Sequence, residues 1–293
     1  MILVTGASGH YGGQAIAHLL RKGIPPTQIA ALVRDAAKGQ TLQAQGIELR
    51  VGDYTSTASI VQALEGIDKL LLVSSNDRGA AENRAIQHKN VIEAARQVGI
   101  KHLVYTSFVM KQPYAHSAIA DFLAAHATTE RALETSGIPF TILRNGIYLE
   151  MIPIFAGQQV TETGRLVFPA QTGRGSWVLR AELAEAAAQV LTTDGHQYQC
   201  YDLTNTEATS FFDVARDLST VLSRDVHYES PSVAEFIETM QQAKVPDVYI
   251  GLFTTWASAL SEGMLDTQST SLATLLGRQP TTTAQFIAQT YTN

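Results

Sequence analysis

Short apolar runs alternate with longer amphipathic stretches along the first half of the chain. Ile2–Thr5, Ile29–Val33, Ile47–Val51, Leu70–Val73, His102–Thr106 and Phe140–Leu143 read as strands. Their apolar residues run on without strict alternation, as in strands covered on both faces. Between them Gly12–Lys22, Ser56–Leu64, Ala80–Val98 and Ile119–Thr135 carry helical spacing; Ile86, Val91, Ala94, Ala95 and Val98 can share one face. Gly23, Gly66, Gly99 and Gly137 each follow the last apolar position of such a stretch, where a left-handed cap ends a helix. This β-α-β rhythm predicts an α/β fold: a doubly wound parallel sheet with right-handed crossovers and helices on both faces.

The rhythm breaks after Asn145. Residues 151–176, rich in Gly, Thr, Gln and Pro, read as loop with room for one short hairpin. Arg180–Thr192 is again helical and Tyr198–Leu203 a strand, and from Thr206 the pattern is mostly helix. Ser232–Glu235 and Thr282–Gln285 have capping-box spacing. The expected organisation is a large domain over 1–150, to which 177–205 returns. A smaller, mostly helical lobe on the substrate side is expected from 151–176 and 206–293.

Of the 293 residues 45% are hydrophobic and 16% charged, which suits a packed globular chain and excludes disorder as its main state. The net charge of −6 comes without any Lys/Arg block, so no nucleic-acid surface is indicated. No run reaches the length needed to cross a bilayer, and the chain opens on a strand pattern rather than on a basic segment followed by an apolar one. A cytoplasmic location is the resulting expectation. The single cysteine, Cys200, can form no intrachain disulfide and is expected as a small buried strand side chain rather than a reactive thiol. No His/Cys/Asp cluster has metal-ligand spacing.

Chemistry enters at the first turn, VTGASGHYGG, where four glycines fall within eight residues between a strand and a helix. Gly6, Gly9 and Gly12 would let the backbone approach a pyrophosphate, and the helix start would offer free N–H groups and the positive end of its dipole. In that strand–turn–helix context the spacing points to the dinucleotide site of a Rossmann sheet, the alternative being a plain tight turn between strand and helix. Cofactor choice is read after the second strand: Arg34 would pair with a 2′-phosphate, favouring NADPH, while Asp35 keeps NADH open. Asp53 and Tyr54, after the third strand, would meet the adenine. Ser74, Ser75 and Asn76, after the fourth, would lie beside the ribose and nicotinamide half.

With these stations in view the chain resembles the NmrA-like branch of the atypical short-chain dehydrogenases. Within that branch it looks most like the bacterial type-2 NAD(P)H:quinone oxidoreductases and triphenylmethane reductase. The carriers are VTGASGHYGG, LVRD, GDY, LLLVSSN, QHKNVIEAARQVGIKHLVYTS, HATTERALETSGIPFTILRNGIY and GRGSWVLRAELAEA, and they span nearly the whole chain. The resemblance implies dinucleotide roles for Gly6, Ser8, Gly9, His10, Tyr11, Gly12, Arg34 and Ser74–Asn76. It implies cofactor contacts for Thr106 and Ser107 at the end of the fifth strand. Residues 141–146, among them Thr141, Leu143, Arg144 and Gly146, together with Arg174, would form the nicotinamide-side wall. The acceptor would be a small molecule such as a quinone, and assembly as monomer or homodimer stays open.

One departure from the wider superfamily shapes the functional expectation. Carbonyl-reducing members use a Tyr-x-x-x-Lys pair, but no tyrosine here has a lysine four residues later, and the corresponding helix runs from Phe122 to His126. Phenylalanine has no proton to give. Hydride transfer to an acceptor that is already electrophilic needs none from the protein at once. His126 could hold the ribose or relay a proton near neutral pH, or could simply bond a local carbonyl. Asn145 and Tyr148 are candidates to face the acceptor, with Tyr148 alternatively a core aromatic; Trp177 and Trp256 read as packing residues. The alternative to an NADPH-dependent quinone reductase is an NmrA-type redox sensor that binds the nucleotide and a protein partner without turnover.

Overall fold

The computed structural model describes residues 1–75 and 81–292. Seven strands form one sheet: β1 (Ile2–Val4), β2 (Ile29–Val33), β3 (Glu48–Val51), β4 (Lys69–Leu72), β5 (His102–Phe108), β6 (Phe140–Asn145) and β9 (Gln199–Leu203). Their order is β3-β2-β1-β4-β5-β6-β9, and every pairing is parallel. The chain winds outward from β1 in one direction and from β4 in the other. Such a switch in winding opens a crevice above the strand ends, and the β1/β4 boundary sits at the middle of this sheet.

Successive side chains on a strand face opposite ways, so each strand feeds two cores. Val4, Leu71, Val104 and Leu143 pack with α1 (His10–Arg21) and α8 (Arg180–Thr192) on one face. Leu3, Leu70, Leu103 and Ile142 pack on the other, against α3 (Thr57–Ala63) and α4 (Ala81–Val98). The long α5 (Ala120–Glu134) lies beside α4. A short α2 (Gln40–Ala44) precedes β3. Both-face burial explains why these strands are continuous apolar runs. Gly23, Gly66, Gly99 and Gly137 all take positive φ, between 73° and 82°, at the ends of their helices.

Two details differ from the expected pattern. Ile86 is 58% exposed although Gln87, His88, Val91, Ala94 and Ala95 of the same helix are buried, so Ile86 lies off the buried face of α4. Cys200 is on β9, the last strand of the sheet, and is exposed rather than buried, because an edge strand has a neighbour on one side only.

Residues 151–176 hold more structure than a loop: α6 (Ile152–Ala156), α7 (Val160–Thr163), β7 (Arg165–Val167) and β8 (Arg174–Gly175). No hairpin joins them. β7 pairs in parallel with β11 (His227–Glu229), and β8 pairs antiparallel with β10 (Thr209–Ser210). The remaining helices are α9 (Phe211–Leu222), α10 (Val233–Gln242), α11 (Asp247–Ser261), α12 (Ser271–Leu276) and α13 (Thr283–Tyr291). Their core is aromatic: Phe155 stacks on Phe168 at 4.7 Å, Phe168 meets Phe211 at 4.9 Å, and buried Trp177 donates to the Thr209 carbonyl at 3.1 Å. Both expected capping boxes form, and Ser210 with Asp213 makes a third. Helix α12 packs on α8 and β9, so the C-terminal chain returns to the sheet. No described helix is long and apolar enough to cross a membrane.

Candidate active site

The turn from β1 into α1 is held by backbone geometry that favours glycine. Gly6 has φ +59°, and the Gly9 N–H donates to its carbonyl at 2.9 Å. A Cβ on Gly12 would stand 2.4 Å from that carbonyl oxygen and 2.9 Å from the carbonyl oxygen of Thr5, so no larger residue fits without moving the turn. Gly9 caps α1 without any side-chain hydrogen bond. The first N–H groups of this twelve-residue helix therefore face outward with their dipole, beside exposed Ser8, Gly9 and His10. They open on a cavity of about 730 Å³ above the centre of the sheet, lined along the turn by Gly6, Ser8, Gly9, His10, Tyr11 and Gly12.

At one end the cavity is rimmed by Arg34, Asp53 and Tyr54. Arg34 is exposed and makes no ion pair with any described residue. Asp35 does not line the cavity; its carboxylate accepts the Ala37 N–H at 3.0 Å and caps the following turn. Arginine thus faces the space while the neighbouring carboxylate is turned to local structure. Asp53 accepts from the backbone and hydroxyl of Thr55, each at 2.7 Å. The Tyr54 hydroxyl, buried against the Thr5 hydroxyl, donates to the Val73 carbonyl at 2.9 Å, which ties the β3 loop to the end of β4. Burial raises the pKa of that phenol.

The loop after β4 is pinned by two polar groups beneath it. The Ser74 N–H donates to Thr106 Oγ1 at 2.8 Å and the Ser75 N–H to His88 Nε2 at 2.8 Å. Thr106, Ser74 and Ser75 all line the cavity; Asn76 lies outside the described residues. Ser107 lines it too, but its hydroxyl donates at 2.6 Å to buried Glu130, which also holds Arg144 through paired hydrogen bonds. That serine hydroxyl is committed away from the site.

At the other end the wall turns aromatic. Phe108, Phe122 and Trp256 meet at centroid distances of 5.1 to 5.9 Å, with Met151 and Leu252 nearby on the lining. Phe122, which the sequence puts where carbonyl-reducing members carry their acid, is on this wall, and Trp256, expected to pack only, is half-buried on it. The Arg84 guanidinium lies 4.9 Å over the Phe122 ring and that of Arg180 lies 4.6 Å over Tyr148. Cation–π contacts of this kind fix a charged group against an apolar wall. Sequence reading missed both arginines, since only the fold brings α4 and the start of α8 to one cavity.

His126 is buried on the lining, 4.9 Å from Phe122. The Arg84 guanidinium approaches its Nε2 at 3.5 Å; since a guanidinium only donates, Nε2 accepts, and Nδ1–H donates to the Tyr105 oxygen at 2.8 Å. Burial, then the charge of Arg84, holds the imidazole pKa well below its ordinary value. His88 behind it is likewise pushed down to about 3, mainly by burial. Both effects favour the neutral ring and so speak against the expectation that His126 relays a proton by titrating near neutral pH.

The β6 wall is also corrected. Thr141 is buried, bonded to His102 at 2.8 Å and to the His196 carbonyl at 2.6 Å, and Leu143 is core, so neither reaches the cavity. Arg144 serves Glu130. Gly146 packs on Ser176, Leu203 and Thr204, where a Cβ would come within 3.0 Å of the Ser176 carbonyl. Arg174 donates to the Ala208 carbonyl and pairs with Asp213 at 3.4 Å, away from the cavity. Asn145 is buried off the lining, its carboxamide against the Tyr11 hydroxyl and its Oδ1 without a partner among the described residues. Tyr148 does line the cavity, its phenol pKa raised by burial.

A nucleotide-sized crevice at the winding switch, with a glycine turn at a bare helix start, defines a dinucleotide-binding α/β protein. The chain belongs to the NAD(P)H-binding, NmrA-like family. The NAD(P)H-binding family model matches residues 6–194. Quinone oxidoreductase 2 of Escherichia coli is 35% identical over 99% of both chains. The NAD(P)H azoreductase of Xenophilus azovorans is 30% identical over 98% of this chain and 96% of its own. Among solved structures, the Citrobacter triphenylmethane reductase complexed with NADP(H) superposes with a TM-score of 0.90 at 36% identity, covering 99% of each chain.

Proposed function

We propose that this protein is an NADPH-dependent oxidoreductase that reduces quinones or similarly electron-poor conjugated acceptors. The carrying observation is that one cavity joins the glycine turn and the Arg34 rim to an aromatic corner with phenylalanine, which cannot donate a proton, at position 122. The full-length likeness to a quinone oxidoreductase and an azoreductase supports the same reading.

The residues present fit NADPH. The bare start of α1 and the Gly12 approach suit a pyrophosphate, Arg34 suits a 2′-phosphate, and Ser74 and Ser75 are held where the nucleotide's other half would lie. When bound, NADPH supplies the hydride. Phe108, Phe122 and Trp256 exclude water and give a flat acceptor faces to pack on. Hydride addition leaves a hydroquinone anion, and a proton from solvent completes the hydroquinone, so no side chain has to be protonated first. Neutral His126, locked between Arg84 and Tyr105, keeps the Phe122 ring in place rather than giving up a proton.

Stopped-flow mixing of the NADPH-loaded protein with a panel of benzoquinones is expected to show acceptor-dependent oxidation, with a simple dialkyl ketone inert. No acceleration by any quinone would defeat the proposal and favour a sensor without turnover. The His126 environment adds a pH prediction. Burial and Arg84 disfavour the imidazolium, so its protonation is displaced below the neutral range. The quinone-reductase kcat/KM should therefore be flat across the free-histidine range, about pH 6 to 7.5. A limb near the ordinary histidine value that vanishes in His126→Gln would contradict the fixed neutral ring.

A further inference from the structure

Helix α11 is apolar on two sides. Ala257 and Leu260 are buried in the lobe core and Ile250 is buried as well, yet Val248, Tyr249 and Leu252 stay 59%, 46% and 40% exposed. On a helix of 100° per residue, Val248, Tyr249, Leu252 and Trp256 fall within about 100° of one another. They form one stripe about 12 Å long, at 1.5 Å per residue. Its outer end is open to solvent, and its inner end is the cavity wall: Leu252 and Trp256 both line the site, and Trp256 closes the aromatic corner with Phe108 and Phe122. The stripe is thus an apolar ramp leading from solvent to the place where an acceptor ring would pack. No charged side chain interrupts it between Val248 and Trp256, where the other positions are Tyr, Ile, Gly, Leu, Phe and Thr.

A small quinone headgroup leaves that ramp bare, and exposed large apolar side chains continuous with a ligand cavity mark a surface that a ligand covers. We infer that the acceptor carries an apolar tail, alkyl or prenyl, that leaves the cavity along Val248, Tyr249 and Leu252. This specifies the substrate class of the quinone-reductase reading and rests on it.

The test compares a decyl-tailed benzoquinone with the same headgroup bearing a methyl in place of the tail, both with the NADPH-loaded protein. The tailed quinone is expected to have a kcat/KM roughly tenfold higher or more, through KM, as burial of about two methylenes would give. Val248→Asp and Tyr249→Asp should cut that advantage to about threefold or less while the methyl quinone is turned over as by the parent, since neither side chain lines the cavity. Both positions lie in the first turn of α11, where a carboxylate suits the helix dipole, so the variants should fold. Equal kcat/KM for the two quinones, or an advantage undiminished in both variants, overturns the inference. If either variant turns a dimer into a monomer in sedimentation and leaves the tail advantage intact, the stripe belongs to a second copy and the inference fails. Calorimetric binding of the two quinones to the same complex reads the tail independently of turnover: tighter binding of the tailed quinone, lost in Val248→Asp, supports it, and equal binding overturns it. Failure of the quinone reading itself would show as no turnover of the methyl quinone.

Discussion

Replacing Arg34 by alanine should weaken NADPH binding roughly 30- to 150-fold, the equivalent of about 2–3 kcal/mol for charge-assisted hydrogen bonds to a phosphate. NADH should be held nearly as before, since it lacks the 2′-phosphate that this guanidinium would meet. The geometry makes the contrast sharp. Arg34 rims the cavity without an ion pair to any described residue, whereas Asp35, the residue that could have welcomed a ribose 2′-hydroxyl, caps its own turn through the Ala37 N–H. Asp35→Asn should accordingly leave the ratio of NADPH to NADH affinity within about twofold, below the effect of a lost charged contact. Fluorescence titration of each variant with both nucleotides measures this; an equal loss for NADPH and NADH in Arg34→Ala would remove Arg34 from the phosphate site.

Gly12→Ala should abolish binding of both nucleotides, by about 100-fold or more, and cost about 1–3 kcal/mol of stability from overpacking. Its new methyl would press on the carbonyl of Gly6 at 2.4 Å and that of Thr5 at 2.9 Å, and both are backbone atoms that cannot swing aside. Relief requires the first turn of α1 to back away from the strand, which moves the helix N–H groups from the anion they would bind. The neighbouring residue gives the control. A Cβ on Gly13 meets only the Ala7 carbonyl at 3.4 Å, an ordinary contact, and alanine is a better helix former than glycine. Gly13→Ala should bind both nucleotides like the parent and melt no lower. Thermal melts with and without NADPH compare the two, and parent-like binding by Gly12→Ala would show that close helix–strand approach does not build the site.

The two halves of the cavity were unequally legible in the sequence. The glycine turn, Arg34 and the Ser74–Ser75 loop follow from strand–turn–helix order, because each stands at the C-terminal end of a strand whose apolar run is visible in isolation. The acceptor half has no such local signature. Arg84 comes from α4, Arg180 from the start of α8 and Trp256 from α11, and only long-range packing brings them to one wall. The β6 residues show the opposite error: side chains alternate across a strand, so Leu143 points into the core although it is close in sequence to the site. Arg144 was drawn off by Glu130, a partner fourteen positions upstream on α5. Strands β7, β8, β10 and β11 escaped notice because they have two or three residues each and pair with segments far along the chain. The charge state of His126 is likewise a property of its surroundings, set by burial and by an arginine whose approach the chain order does not reveal.

Calorimetric titration of the purified protein with NADPH and then with NADH tests most directly whether the crevice above β1 and β4 is a cradle for a phosphate-tagged nicotinamide nucleotide. The account predicts saturable uptake of one NADPH per chain, at least about 30-fold tighter than NADH, the difference a charged phosphate contact supplies. Uptake of neither nucleotide, or of both with equal affinity, would contradict it.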